Sequence, residues 1–342
     1  MIGEEIGGLI MKGRQMTAIG RRDMVLGTLA GIGALATAMP VGTAAAAEAP
    51  FRTGRYTTKR GDAVLTIYRK SLKVRAQAAP VLLLAHGSSV SALPTFDLTV
   101  PGAGEYSMMN VFARWGYDVW ALDFSGYGNS TMPSGNSDIA MGSSDLFAAV
   151  ETIKRETGRD KVHLMGESGG ALKCGRFAMD HPERLDRLML EAMTWTGAGS
   201  PTLTKRAEQA EYYKTHTTRP RDEAAILSIF TRDRPGTADP RVGPAMAAAE
   251  LPHGTTIPSG TYLDMTVNLP VIDPARITVP TLVARGEYDG IATEADLLGF
   301  MAKLATPDRQ YSVIPGAAHS LSMGLARARY WHIMHGFLSM PA

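Results

Sequence analysis

A serine hydroxyl is a weak nucleophile at neutral pH and reacts only where the chain holds it beside a base. Gly166, Glu167, Ser168, Gly169 and Gly170 spell G-x-S-x-G. An apolar run, Lys161 to Met165, leads into them, and a helix-like stretch, Ala171 to Met179, follows. Strand, G-x-S-x-G, helix is the context a nucleophile elbow requires. Such a turn strains its central residue, which lifts Oγ of Ser168 above the sheet edge. Gly166 and Gly170 are needed where side chains would meet the adjoining strand and helix. The helix points its N-terminus at the place where negative charge would develop.

The base is expected at His319, in P-G-A-A-H-S directly after the last apolar strand run. The other histidines are less well placed. His163 falls inside a strand, His181 at a helix end, and His332 and His335 on the last helix without the carboxylates or thiolates of a metal site. The imidazole needs a carboxylate to fix its tautomer. Asp289, in R-G-E-Y-D-G-I after the run Thr281 to Ala284, is the favoured candidate; Glu287 is expected to point elsewhere. Glu191, ending the strand after the elbow helix, is its rival. A tetrahedral oxyanion needs two donors. One is the N–H of Gly169. The other is the N–H of Ser88 in A-H-G-S-S, where His86-Gly87 permits a tight turn at the end of a buried strand.

Elements must bring these residues together. The apolar runs Ala63 to Tyr68, Pro80 to Ala85, Tyr117 to Leu122, Lys161 to Met165, Arg187 to Leu190, Thr281 to Ala284 and Gln310 to Ile314 read as strands. Ser107 to Trp115 and Asp145 to Thr157 read as helices between them. That alternation predicts an α/β protein with a mostly parallel, doubly wound sheet. Between Glu191 and Pro280 no buried-strand run occurs. Helical patches, Lys205 to Lys214 and Arg221 to Thr231, alternate there with Pro- and Gly-rich links. So long a segment is no plain loop, and it is expected to form a cap inserted over the site, residues 194–273. The core is then residues 48–193 and 274–342. Phe96, Tyr106, Trp195, Tyr212 and Tyr213 are the aromatic candidates to line the pocket.

The chain has 342 residues, 45% hydrophobic and 20% charged, with a net charge of +2. The length suits one large domain with an insertion, and the charge gives no reason to expect a nucleic-acid partner. The single cysteine, Cys174, cannot form an internal disulfide and is expected to be a packing residue. The first residues differ. Lys12, Arg14, Arg21 and Arg22 precede the uncharged run Met24 to Met39, which Pro40 breaks; small residues, Thr43 to Ala47, follow. Basic, apolar, small-residue order predicts a removable export signal over residues 1–47. The run is about 16 residues, short of the roughly 20 a membrane anchor needs. Arg21-Arg22 resembles a twin-arginine signal, although Gly20 stands where Ser or Thr is usual. Met11 or Met16 is an alternative start.

The motifs together resemble the α/β-hydrolase superfamily, in its esterase, lipase and C–C hydrolase branch. The resemblance covers about Thr57 to Leu338. It rests on His86-Gly87, on D-F-S-G-Y-G-N-S (Asp123 to Ser130), on G-E-S-G-G, on G-E-Y-D (Gly286 to Asp289) and on G-A-A-H. The chain order Ser168, Asp289, His319 is the order of that superfamily. The resemblance implies Ser168 as nucleophile, His319 as base and Asp289 as its acid, with Ser88 and Gly169 as oxyanion donors. It implies a serine hydrolase acting on a small-molecule ester, with no metal or cofactor; the leader adds the expectation of an exported, periplasmic or secreted protein with no stable membrane anchor. A lactone or C–C (β-diketone) hydrolase with the same three residues is the alternative, and a non-catalytic ligand-binding protein of this fold is another. Serine at the elbow, where dehalogenases and epoxide hydrolases of the superfamily carry aspartate, speaks against both of those activities.

Overall fold

The computed structural model describes residues 50–74 and 79–341. In chain order the strands are β1 (Phe51–Arg60), β2 (Ala63–Leu72), β3 (Val81–Ala85), β4 (Asp118–Asp123), β5 (Val162–Glu167), β6 (Leu185–Glu191), β7 (Thr218–Pro220), β8 (Thr256–Pro258), β9 (Thr281–Gly286) and β10 (Arg309–Ile314). The helices are α1 (Ala92–Phe96), α2 (Met108–Arg114), α3 (Ile139–Thr157), α4 (Gly169–Asp180), α5 (Pro201–Ala207), α6 (Ala210–Thr215), α7 (Glu223–Ser228), α8 (Val242–Glu250), α9 (Gly260–Leu263), α10 (Glu294–Lys303) and α11 (Arg327–Leu338). Eight strands form one sheet in the order β1-β2-β4-β3-β5-β6-β9-β10. β1 and β2 are a hairpin, β2 pairs antiparallel with β4, and every later pairing is parallel. This is the α/β, doubly wound arrangement that the alternation of apolar runs and helix patterns predicts.

The sequence V-L-L-L-A of β3 shows why the sheet is central. Successive side chains of a strand point to opposite faces. Val81, Leu83 and Ala85 pack into one apolar layer with α3, α4 and α10, while Leu82 and Leu84 pack into another with α1, α2 and α11. Trp120 and Leu122 of β4 join the first layer, Val119 and Ala121 the second. A strand covered on both faces must be apolar throughout, hence the unbroken run.

Local signals set the boundaries. The alternating stretch after Phe51 is two strands, because Gly61 adopts φ 58° and turns the chain between them. α3 begins at Ile139 rather than at Asp145, because Asp138 caps it by accepting from the Met141 N–H at 2.7 Å. The patch Lys205 to Lys214 is two helices, α5 and α6, parted at Glu208 and Gln209.

The stretch between β6 and β9 carries α5 to α9 and the two-stranded ribbon of β7 and β8. Its α7 and α8 share an apolar cluster with the long connection after β3. Val90, Leu98, Val100 and Tyr106 pack there against Ile226, Phe230, Val242 and Met246. The two loops that flank the sheet edge therefore stabilise each other by burying common apolar surface. The expected export signal, residues 1–47 with Arg21-Arg22, lies outside the described residues.

Candidate active site

Four parallel strands deliver the candidate residues to one edge of the sheet. β3 ends just before His86, β5 just before Ser168, β9 three residues before Asp289 and β10 five residues before His319. In open α/β sheets this carboxyl edge is where ligands bind.

Ser168 joins β5 to α4 with φ 53° and ψ −117°, a conformation that costs a non-glycine residue free energy. Its own N–H donates to the Glu191 carbonyl at 2.8 Å, which fixes the turn against β6. The glycines follow from the crowding. A Cβ on Gly166 would stand 2.5 Å from the Gly170 carbonyl oxygen, and one on Gly170 would run into the carbonyls of Ala85 and His86.

His319 Nε2 lies 2.9 Å from Ser168 Oγ, and its Nδ1 lies 2.9 Å from Asp289 Oδ1. Asp289 Oδ1 also accepts from the backbone N–H groups of Ile291 (2.8 Å) and Ala292 (3.0 Å). Burial pushes the Asp289 carboxyl up; the His319 ring and these hydrogen bonds outweigh it and hold the group below the usual carboxylate range. An ionised Asp289 selects the tautomer with a proton on Nδ1, which leaves Nε2 free to accept the serine proton. Glu287 does point elsewhere, accepting from the Gly316 N–H at 2.8 Å and so bracing the turn ahead of His319.

Glu191 has another task. Its carboxylate accepts from the N–H groups of Leu321 (3.1 Å) and Ser322 (3.3 Å) and from the Ser322 hydroxyl (3.0 Å). It thus holds the chain just after His319 and makes no hydrogen bond to the ring. Burial raises its carboxyl well above the usual range, and the neighbouring Glu167 raises it further. Glu167 is itself raised by burial, with His319 and Arg232 opposing.

The second loop is pinned from several sides. His86 is fully buried, its Nδ1–H donating to the Gly87 carbonyl at 2.6 Å and its Nε2 accepting from the Phe124 N–H at 3.1 Å. Burial, with Lys173 adding, pushes its pKa down to about 3, so this imidazole is neutral and serves the loop. The Ser88 carbonyl accepts from Tyr127 Oη at 3.1 Å and from the Arg219 guanidinium. A Cβ on Gly169 would lie 3.2 Å from Cβ of Ser88, so the two expected oxyanion donors belong to adjacent residues. Asp123 stitches the surrounding turns, accepting from the N–H groups of Ala92 and Asn129, both at 2.9 Å, and from Tyr68 Oη at 2.8 Å.

A cleft opens on Ser168 and His319, walled by Ser88, Arg206, Arg232 and Tyr262 among others. Of the aromatic candidates, Tyr212 and Tyr213 line an adjoining cavity. Phe96 and Tyr106 are core residues instead, and Trp195 donates its indole N–H to the Ile272 carbonyl at 3.1 Å. Cys174 is fully buried, its thiol pushed up by burial. Sequence reasoning missed Arg206, Arg219, Arg232 and Tyr262. They come from four separate parts of the inserted stretch, and nothing in their local sequence distinguishes them from surface residues.

Known proteins of similar sequence and structure bear on this edge. A hydrolase of Paraburkholderia phymatum named for 2-hydroxy-6-oxononadienedioate and 2-hydroxy-6-oxononatrienedioate is 33% identical over 123 residues, 35% of this chain and 38% of that protein. A proline iminopeptidase of Lactobacillus delbrueckii subsp. bulgaricus is 28% identical over 115 residues, 33% of this chain and 36% of that protein. The chain thus matches well under half the length of either relative. The crystal structure of a hydrolase from Pseudomonas aeruginosa PA01 superposes with a TM-score of 0.62 at 19% identity, covering 84% of this chain and 99% of that one, which is a likeness of fold. Residues 102–324, well over half of the chain and including Ser168, Asp289 and His319, match the family described as Serine aminopeptidase, S33, and the chain belongs to that family of the α/β-hydrolase superfamily.

Proposed function

We propose that this protein is a serine hydrolase that cleaves a carboxylic ester through an acyl-enzyme. The observation that carries the reading is the continuous hydrogen-bonded chain from Ser168 Oγ through His319 to Asp289, 2.9 Å at each link. Ser168 Oγ attacks the ester carbonyl while His319 Nε2 takes its proton. The N–H groups of Ser88 and Gly169 stabilise the tetrahedral oxyanion. His319 then protonates the departing alcohol, and water activated by the same ring releases the acid and restores Ser168. The stretch of residues 194–273 acts as a cap that walls the cleft.

Peptide cleavage beside a free amino terminus, suggested by the family's description, fits the cleft less well. A substrate ammonium calls for carboxylate partners. The acid on the wall is Glu167, raised by burial, and Arg206 and Arg232 line the same cleft. A lactone or C–C hydrolase with the same three residues is the second reading, favoured by the name of the Paraburkholderia relative. Product analysis on an ester beside a β-diketone separates it from the first.

The test is direct. A fluorophosphonate should label Ser168, and Ser168→Ala should lose labelling and p-nitrophenyl ester hydrolysis, by about 10⁶-fold in kcat as for the nucleophile of a serine protease. Wild-type protein that resists the probe and hydrolyses no ester overturns the reading in favour of a non-catalytic binding protein, and a Ser168→Ala variant that still turns over removes Ser168 as the nucleophile.

A further inference from the structure

Beyond Ser168 the cleft continues into a second cavity of about 600 Å³, and both are walled by Ser89, Ile229, Arg232 and Tyr262. Arg206 faces the first cavity and Arg219 the second. Among the described residues, no aspartate or glutamate lines the second cavity.

Three cations, Arg206, Arg219 and Arg232, converge on Tyr262 where the two cavities meet. The Arg206 and Arg219 guanidinium carbons lie 3.7 and 3.6 Å from the centroid of the Tyr262 ring. Neither arginine forms an ion pair among the described residues. Arg206 has only the Met265 sulfur, 3.8 Å from its Nη1, as a hydrogen-bond acceptor. Arg219 reaches the Ser88 carbonyl, and its Nε is buried without a partner. Arg232 contacts Asp233 at 3.5 Å. The neighbouring Arg221 shows what a structural arginine looks like here. It is buried against Glu250 and also donates to the carbonyls of Ser89 and Gly254.

Gathering like charges in a partly desolvated wall costs free energy unless a counter-charge arrives. Tyr262 supplies part of it. Burial raises its hydroxyl; Arg206 and Arg219, with a hydrogen bond from Ser89 and the charge of Arg232, outweigh that and pull it down to about 6. Asp233 answers Arg232, and Arg206 and Arg219 are left with no carboxylate partner among the described residues. We propose that this cluster is an anion subsite, and that the substrate is an ester whose non-reacting end carries a carboxylate, the planar anion a guanidinium fork binds through two parallel hydrogen bonds. The inference rests on the ester reading above. Hydrolysis adds one water across the ester bond and leaves the distal carboxylate unchanged.

The experiment compares the p-nitrophenyl monoester of adipic acid with p-nitrophenyl hexanoate, which has the same chain length and no charge. Wild type should favour the adipate ester in kcat/KM. Arg206→Gln and Arg219→Gln should each shrink that ratio by about ten- to hundredfold, the range expected for one charge-assisted hydrogen-bonded contact. Arg206→Lys should recover part of it, and added salt should erode it. Free adipate should inhibit competitively and more strongly than inorganic phosphate. A ratio near one in wild type, a ratio untouched by both substitutions in folded protein, or stronger inhibition by phosphate overturns the proposal. In wild type, absence of the preference with hexanoate hydrolysis present sinks the subsite alone, whereas failure on both esters sinks the ester reading. Calorimetric titration of Ser168→Ala with adipate tests the subsite without any turnover, and absence of binding there overturns it.

Discussion

Two buried carboxylates lie near His319, and their surroundings assign them different work. Asp289 meets the ring nitrogen and is held ionised by that contact and by two backbone N–H groups. Glu191 meets the backbone after the ring and is raised by burial. Asp289→Asn should therefore cost about 10⁴-fold in kcat, the loss seen when an amide imposes the wrong tautomer in a protease. Glu191→Gln keeps the shape and much of the hydrogen bonding, so its loss in kcat should be far smaller. Steady-state kinetics on one ester decides, and the reverse ranking would move the orienting acid to Glu191. Glu287 illustrates the same dependence on surroundings: two residues from Asp289, it is spent on the Gly316 N–H.

At the scale of elements, the strand ends supply chemistry and the stretch between β6 and β9 supplies surroundings. α5, β7, the turn after α7 and α9 contribute Arg206, Arg219, Arg232 and Tyr262 respectively. Their convergence has a measurable consequence. Tyr262 has a folded-state pKa of about 6 against roughly 10 in an unfolded chain. An acid depressed on folding adds stability that is complete above the unfolded value and is lost as pH falls through the folded one. The stability difference between wild type and Tyr262→Phe should thus widen as pH rises above about 6, and a tyrosinate absorbance should titrate near that pH in wild type alone. A tyrosinate band that appears only near pH 10 would show that the arginines do not act on this phenol.

For the molecule as a whole, the apolar layers on both faces of the sheet form a frame that positions Ser168, Asp289 and His319, and the inserted stretch packs onto it through Leu203, Ile257, Met265 and Ile272. No helix among the described residues is long and apolar enough to cross a membrane. Export through a twin-arginine receptor, to a periplasmic or secreted destination, is the proposal for residues 1–47. Such signals are read by a receptor rather than by hydrophobicity alone. Replacing Arg21 and Arg22 with lysine should leave unprocessed protein in the cytoplasm, while exported wild type should begin near Glu48. Fractionation that finds the variant exported as efficiently as wild type defeats the proposal.

Several features were legible in the residues themselves. The β3 run V-L-L-L-A announces a strand buried on both faces, because only apolar side chains suit both layers. G-E-S-G-G announces a tight strand-to-helix turn, because only glycine leaves the carbonyls of Ala85, His86 and Gly170 room. The order of Ser168, Asp289 and His319 along these elements pointed to one sheet edge. The choice of Asp289 over Glu191 at the ring needed the tertiary structure, since both carboxylates follow strands and only three-dimensional contact separates them. The start of α3 at Ile139, capped by Asp138, and the core placement of Phe96 and Tyr106 were equally hidden. The arginine cluster was hidden most completely. Periodicity reports which face of an element is buried, whereas a charged side chain on a short irregular helix carries no record of what it will face. Arg206 and Arg219 lie on different elements, α5 and β7, and meet over Tyr262 of α9 only in the folded chain.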